Sequence, residues 1–309
     1  MSARGWVGWA GWIAFATSVF AANDASAYCR SRACDFDQPS TVPCKKDHMG
    51  CPTNGAELYW PTSSFDIWVD HRGSEKDSIT GEQLLEVEKQ ALSTWMDVRC
   101  EGSGPSIAIG QVELMQDDER IALALTQPEK ATSDDPAVST SVVTFVDDGW
   151  MKESADSIAL TTTSFGTQSG RIFGADIELD STDFRFTLDG DPNPDNDLLS
   201  VLTHENGHVF GLADLLTPGP TMFGNYGGHG NVAPRTLEAD DEEGLCAIYP
   251  PGRLAEASGG CACRFEGAAG APPSSWLAVG LAALLFSIRR RGKRNAQRGV
   301  STTPSAAPR

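Results

Sequence analysis

The chain has 309 residues and a formal net charge of −18 at pH 7. The charge is uneven: residues 28–260 hold 40 acidic against 15 basic side chains, a net of −25, whereas the tail from residue 289 has seven basic side chains and no acidic one. An acidic body of this kind repels nucleic acid and anionic membranes. We therefore expect no nucleic-acid partner, and a membrane contact only through the C-terminal segment.

Residues 1–27 predict a secretory signal peptide. Arg4 supplies a positive start, residues 6–22 are apolar and interrupted by small residues, and Ala-Ser-Ala at 25–27 forms a cleavage site that leaves Tyr28 as the mature N-terminus. An uncleaved membrane anchor is the alternative. Export agrees with the cysteine content, because disulfides persist outside the cytosol.

Residues 28–55 form a cysteine-rich segment that contains too few apolar residues to fold unaided. A zinc knuckle is the rival interpretation, although the cysteine spacings are irregular. The even number of cysteines before the C-terminal linker indicates three disulfides, and their connectivity stays open at this point. These cysteines are Cys29, Cys34, Cys44, Cys51, Cys100 and Cys246.

Residues 56–252 have the composition of one globular domain with a sizeable core. Alternating apolar and polar residues predict a strand, and a helix capped near Thr80 follows it, with apolar residues at helical spacing. A closing helix has acidic residues near its positive N-terminus. The predicted strands cover residues 65–70, 106–110, 142–146, 158–162 and 171–179, and the closing helix covers 237–249.

Residues 204–214 read His-Glu-Asn-Gly-His-Val-Phe-Gly-Leu-Ala-Asp. His204 and His208 lie four residues apart, on one face of a helix, where both can bind a single metal ion. Glu205 projects toward the same side and can act as general base on a water there. Asp214 is the predicted third ligand, which leaves one position open, as in catalytic zinc sites. A chance pattern with solvent-facing histidines is the alternative.

The sequence also allows other metal assignments. In the alternative assignment, Asp214 only caps a turn and the third ligand is His229, His71 or Glu238. The acidic, turn-rich residues 189–197 offer oxygen ligands suited to Ca²⁺. The competing interpretation is a solvated loop in which Asp195 or Asn196 caps the helix that carries the histidines.

Two further features give the motif a family resemblance. Gly211 stands where the helix can stop, and Met222 follows Asp214 by eight residues in a Thr-Met-Phe-Gly sequence. Residues 204–214 together with the sequence around Met222 resemble the metzincin zinc metalloproteases, and their spacing is matrixin-like, with Met222 in the Met-turn. An aspartate as third ligand is similar to the snapalysin branch. The resemblance implies an α/β (α+β) fold: a mixed five-stranded sheet with three helices, including the active-site helix.

The same resemblance implies further site residues. Residues 171–179 resemble the metzincin edge strand, to which a peptide can add as an extra strand, so Ala175 and Ile177 are candidate substrate contacts. Tyr226 is a candidate for stabilising the oxyanion. Matrixin-like sequences also close with a segment like residues 237–250, which leaves Cys246 free to meet Cys100.

The C-terminal part differs in composition. Residues 253–275 form a Gly/Ala/Pro linker with a motif at Cys261 and Cys263, and residues 276–309 contain a short apolar helix and a basic tail. The apolar run is short for a stable membrane span. The arrangement resembles the myxobacterial-type C-terminal sorting tag, which implies processing machinery as a partner. A plain membrane anchor is the alternative.

These observations predict an exported zinc-dependent endopeptidase at the cell surface, associated with the outer membrane or secreted, that acts on protein or peptide substrates. The alternative is a catalytically inactive, zinc-stabilised surface protein for binding or adhesion. Glu205 argues against that alternative, because a purely structural zinc site does not need it.

Overall fold

The structure, a computed structural model, describes residues 28–34, 43–118, 121, 141–150, 157–191, 193–225, 227, 230–253 and, for the backbone, 298–306. The predicted signal peptide, the motif at Cys261 and Cys263 and the apolar C-terminal run lie outside these ranges. Tyr226 and His229 do so too. Within the described ranges, no helix has the length and apolar character needed to cross a membrane.

The described residues form ten strands and three α-helices. In chain order these are β1 (Cys29–Arg30), β2 (Ser64–Asp70), α1 (Gly81–Met96), β3 (Ala108–Met115), β4 (Ser141–Val146), β5 (Ser157–Gly166), β6 (Ile172–Asp180), β7 (Phe186–Thr187), β8 (Asn196–Asp197), α2 (Leu198–Val209), β9 (Leu212–Ala213), α3 (Ala239–Ile248) and β10 (Arg298–Ala306).

The domain is built on a mixed sheet with the strand order β3-β2-β4-β6-β5. Strand β2 is parallel to β3 and β4, β4 is parallel to β6, and β5 runs antiparallel to β6. The expected mixed five-stranded sheet with three helices is therefore confirmed. The tail adds a sixth strand, β10, which pairs antiparallel with the outer edge of β5. This strand was not predicted from the sequence.

The expectation that residues 171–179 form the edge strand is wrong. They correspond to β6, which pairs with β4 on one side and with β5 on the other. Ala175 and Ile177 are 2% and 1% exposed, so they are core residues rather than substrate contacts. The outermost strand of the five is β5. Both strands are buried almost throughout, so periodicity alone does not distinguish their places in the sheet.

Helix α1 begins as expected at Thr80, whose hydroxyl accepts from the N–H of Gln83 while the Gln83 side chain accepts from the Thr80 N–H. The helix packs against α2. Trp95 makes the closest link, because its fully buried indole N–H donates to the Thr203 carbonyl at 2.8 Å. Helix α1 thus fixes the position of the helix that carries the two histidines.

Three disulfides tie the chain together. Cys100 bonds to Cys246, the pair that the resemblance implied, and joins the region after α1 to α3. The N-terminal cysteines pair among themselves, as Cys29–Cys51 and Cys34–Cys44. Strand β1 pairs antiparallel with β9, with Cys29 opposite Ala213. The cysteine-rich segment therefore lies against the stretch of chain that leads to Asp214.

Candidate metal centre

Helix α2 is defined at both ends by its own sequence. The Asp197 carboxylate caps it by accepting from the Ser200 N–H at 2.9 Å, and Arg235 holds that carboxylate at 2.6 Å. The expected N-cap residue was Asp195 or Asn196, so the N-cap was predicted one or two residues too early. The helix ends at Val209 with Phe210 as its C-cap residue, and Gly211 follows with a φ of +99°, a conformation that favours glycine.

The helix and the turn after it bring three ligand-type side chains together. Nε2 of His204 and Nε2 of His208 lie 3.3 Å and 3.4 Å from Oδ1 of Asp214. One ligand atom from each residue lies within 4.8 Å of the others. Both histidines are buried, at 4% and 2% exposure, so they do not face solvent as a chance motif would place them.

The outer nitrogens of the two imidazoles determine which atoms face the centre. Nδ1 of His204 lies 2.6 Å from the Thr221 carbonyl, and Nδ1 of His208 lies 2.9 Å from the Leu212 carbonyl. Because a carbonyl only accepts, each Nδ1 carries a hydrogen, and the neutral imidazole then presents a lone pair on Nε2. These two Nε2 atoms and Oδ1 of Asp214 have no hydrogen-bond partner.

Lone pairs converging on a buried point repel one another unless a cation lies between them. Two imidazole nitrogens and one carboxylate oxygen are a donor set typical of Zn²⁺, with further positions left for water and substrate. The residues therefore fit a zinc ion, which would be held by His204, His208 and Asp214.

The electrostatics of the protein groups agree with this fit. Burial lowers the pKa of His204, but the Asp214 carboxylate and the charge of Glu205 outweigh that effect and raise the pKa to about 9. Burial opposes the charged form of Asp214, yet the neighbouring histidines hold its pKa well below the usual range. The centre thus stabilises positive charge between these side chains.

Glu205 is fully buried beside the centre, and burial raises its pKa against the opposing effect of the two histidines. One carboxylate oxygen, Oε2, accepts from the Thr161 hydroxyl at 2.5 Å, while Oε1 has no partner. Thr161 lies on β5 and was not predicted as a site residue. The sequence feature that could have pointed to it is the run of three threonines, Thr161 to Thr163, in a strand that the structure buries almost throughout.

Met222 packs directly beneath the helix. A Cβ built at Gly207 would lie 2.1 Å from the Met222 sulfur, so the methionine touches the helix backbone between the two histidines. The N–H groups of Thr221 and Met222 donate to the Asp241 carboxylate at 2.8 Å and 3.1 Å. Asp241 therefore orients the same Thr221 carbonyl that accepts from His204.

Asp241 was missed as a site residue, since its acidic run was assigned only to the dipole of α3. A second support comes from the N-terminal segment: the Ser31 hydroxyl donates at 2.7 Å to the Leu212 carbonyl, the acceptor for His208. The Leu212 carbonyl thus accepts from both His208 and Ser31, whereas the Thr221 carbonyl is held in place through the N–H groups that Asp241 binds. Such outer contacts fix the tautomer and orientation of the ligands.

The alternative third ligands that the structure describes do not lie at the metal centre. Nδ1 of His71 faces the Met115 carbonyl at 3.0 Å, and Glu238 is the N-cap residue of α3. Among the described residues, His204, His208 and Asp214 are the one trio of His, Cys, Asp or Glu placed to hold a metal ion.

The acidic stretch 189–197 does not form a calcium cluster in its described part. Its carboxylates pair with arginines instead: Asp191 with Arg185 at 2.8 Å, and Asp189 with Arg235 at 3.0 Å. Arg235 also binds the helix cap, Asp197. The loop therefore braces the start of α2 with ion pairs.

Comparison with known protein families gives a match to the part of the chain that contains the metal centre. The Matrixin family of peptidases matches residues 150–250, about a third of the chain. That segment is matrixin-like. It contains β5, β6, α2, the turn with Met222 and α3, and so includes all three ligand-type residues and Glu205. The match supports a matrixin-like metalloprotease in general. A search of curated proteins found no match.

Proposed function

We propose that the chain is an exported zinc-dependent endopeptidase that hydrolyses peptide bonds. In this proposal His204, His208 and Asp214 hold zinc and Glu205 is the general base. One observation carries it: three buried ligand atoms without partners converge beside a buried glutamate that has one unengaged oxygen. The matrixin-like character of residues 150–250 supports the same chemistry.

A zinc ion at this centre would polarise the scissile carbonyl and make an attacking water more acidic. Oε1 of Glu205 is the free oxygen, and it accepts the proton from that water. Glu205 then donates the proton to the leaving amine, so the same carboxyl acts as base and acid in turn. Thr161 holds Oε2 and thereby keeps Oε1 directed toward the reaction.

The proposed substrate is a protein or peptide that binds in an extended form. Strand β5 is the outermost of the five domain strands, and its residue Thr161 contacts Glu205, so a peptide added along β5 passes next to the general base. The role of Tyr226 in stabilising the oxyanion remains a proposal about a residue outside the described ranges. Export through residues 1–27 and surface sorting through the C-terminal tag are likewise proposals.

An inactive protein with a structural zinc site is the competing function. Glu205 speaks against it, because burying a carboxyl group with one oxygen unpaired costs free energy that a structural site has no reason to bear. Catalysis gives that oxygen a use.

The experiment is cleavage of a peptide mixture by the purified full chain, read by mass spectrometry, with and without a zinc chelator. Expected are discrete cleavage sites, their loss with the chelator and their return when zinc is added back. Metal analysis of the same sample should show one zinc per chain. Cleavage that continues unchanged in the chelator would contradict the proposal.

A further inference from the structure

The outer edge of β5 is occupied by the chain's own C-terminal segment. Strand β10, residues 298–306, pairs antiparallel with β5 over its whole length, from Arg298 opposite Gly166 to Ala306 opposite Ser157. The register is continuous except for one irregularity between residues 305 and 306. The sheet edge next to the candidate metal centre is thus closed by nine residues from the end of the chain.

The same edge is the one that an extended substrate must use. The other edge of β5 is paired with β6, so only the side taken by β10 can accept a further strand. Thr303 stands opposite Thr161, whose hydroxyl binds Glu205. A backbone that follows the path of β10 therefore passes at the level of the general base. Two strands cannot hold this edge at once.

The chain is long enough to reach this edge. Residues 254–297 supply 44 residues between the end of the domain and the start of β10, and an extended chain of that length spans roughly 150 Å. Charge favours the approach, because residues 28–260 carry a net charge of −25 and the tail from residue 289 carries seven basic residues and no acidic one. Three of the nine residues, Val300, Thr302 and Thr303, favour strands, whereas Gly299 and Pro304 do not.

We propose that residues 298–306 occupy the substrate-binding edge of β5 in the intact chain and compete there with peptide substrates. This inference rests on the proposed function. It assigns the C-terminal segment a regulatory role: hydrolysis of the chain within residues 254–297, or displacement of β10, opens the edge. A C-terminal tag that is removed during sorting would release the segment in this way.

The size of the effect follows from the tether. A segment tethered to the domain that it binds is held near its site at an effective concentration on the order of 1 mM. If the free segment binds the edge with a dissociation constant of about 0.1 mM, about one chain in ten has an open edge. Competition of this kind raises KM about tenfold and leaves kcat unchanged.

The test uses the zinc-loaded full chain with two replacements, Ser301→Pro and Thr302→Pro together. Neighbouring residues of an antiparallel strand direct their N–H groups to opposite edges, so the pair removes at least one donor to β5. The matched control is Ser301→Thr with Thr302→Ser, which keeps both donors. Hydrogen exchange of the β5 amides that point away from β6 reports pairing without any need for catalysis, and peptide hydrolysis reports access.

The proline variant should lose protection at those amides, and its KM for peptide hydrolysis should fall about tenfold at unchanged kcat, while the control matches the parent. Added peptide Arg-Gly-Val-Ser-Thr-Thr-Pro-Ser-Ala should inhibit the proline variant, and a scrambled peptide should not. Equal protection in the parent and the proline variant overturns the proposal, as does lost protection at an unchanged KM. If no chain cleaves peptides but protection is still lost, the proposed function fails and the docking of the segment is supported.

Discussion

Gly207→Ala tests whether Met222 is seated against the helix as described. The new Cβ would lie 2.1 Å from the Met222 sulfur and 3.0 Å from both the methionine methyl carbon and Cζ2 of Trp95. Helix propensity alone would stabilise the variant by about 1 kcal/mol. Overpacking costs about 1–3 kcal/mol, and three close atoms in a buried site place it at the upper end. The expected net loss is about 2 kcal/mol in the free energy of unfolding.

Urea unfolding with the disulfides intact measures this loss. Gly104→Ala is the control, because its Cβ would meet only one atom, at 3.8 Å. In a double-mutant cycle, Gly207→Ala with Met222→Ala should be about 2 kcal/mol more stable than the sum of the single changes, since the new methyl enters the space that the methionine leaves. A Gly207→Ala variant more stable than the parent would refute the packing of Met222 beneath α2.

Three other predictions concern the centre and its helices. In a competition titration, Asp214→Ala should weaken zinc binding at least about 100-fold, whereas the zinc affinity of Glu238→Ala should equal that of the parent. Asp214→His should bind zinc and shift the rising limb of the pH–rate profile to lower pH, because a neutral ligand leaves more positive charge on the ion. Thr161→Val should lower kcat more than it changes KM, and Thr161→Ser, which keeps the hydroxyl, should have the kcat of the parent. Equal kcat values for the Val and Ser variants would show that the Thr161 hydroxyl does not position Glu205. Glu88 has a pKa raised by burial to about 8 in the folded protein against 4.5 as its ordinary value, so its contribution to stability is complete below about pH 4.5 and is lost as pH rises to about 8. Glu88→Gln should flatten that part of the pH–stability curve by up to about 1.4 kcal/mol per pH unit, and exposed Glu86→Gln should not.

Local features of the chain were predictable because they depend on few neighbouring residues. The spacing of His204 and His208 places both on one face of any helix, and Gly211 stops that helix by its own conformational freedom. The capping box at Thr80 is equally local. Metal binding by the site residues stays a prediction, although their side chains converge as the motif requires.

The features that were missed depend on pairing between distant segments. Strands β5 and β6 are both buried runs, so nothing within either sequence tells which one ends the sheet. The contact of Thr161 with Glu205 depends on the order of the strands in the sheet, so it could not be predicted from the sequence. Asp241 stood among four consecutive acidic residues, and only tertiary structure selects the one that holds the turn with Met222.

Glu205→Gln tests the central claim most directly, because it removes the proton acceptor and leaves the three ligand residues in place. The Thr161 hydroxyl can still donate to the amide oxygen, so the side chain keeps its position. The account predicts one zinc per chain, as in the parent, and peptide hydrolysis reduced by at least about a hundredfold in kcat. A zinc-loaded Glu205→Gln protein that cleaves peptides at the parent rate would contradict it.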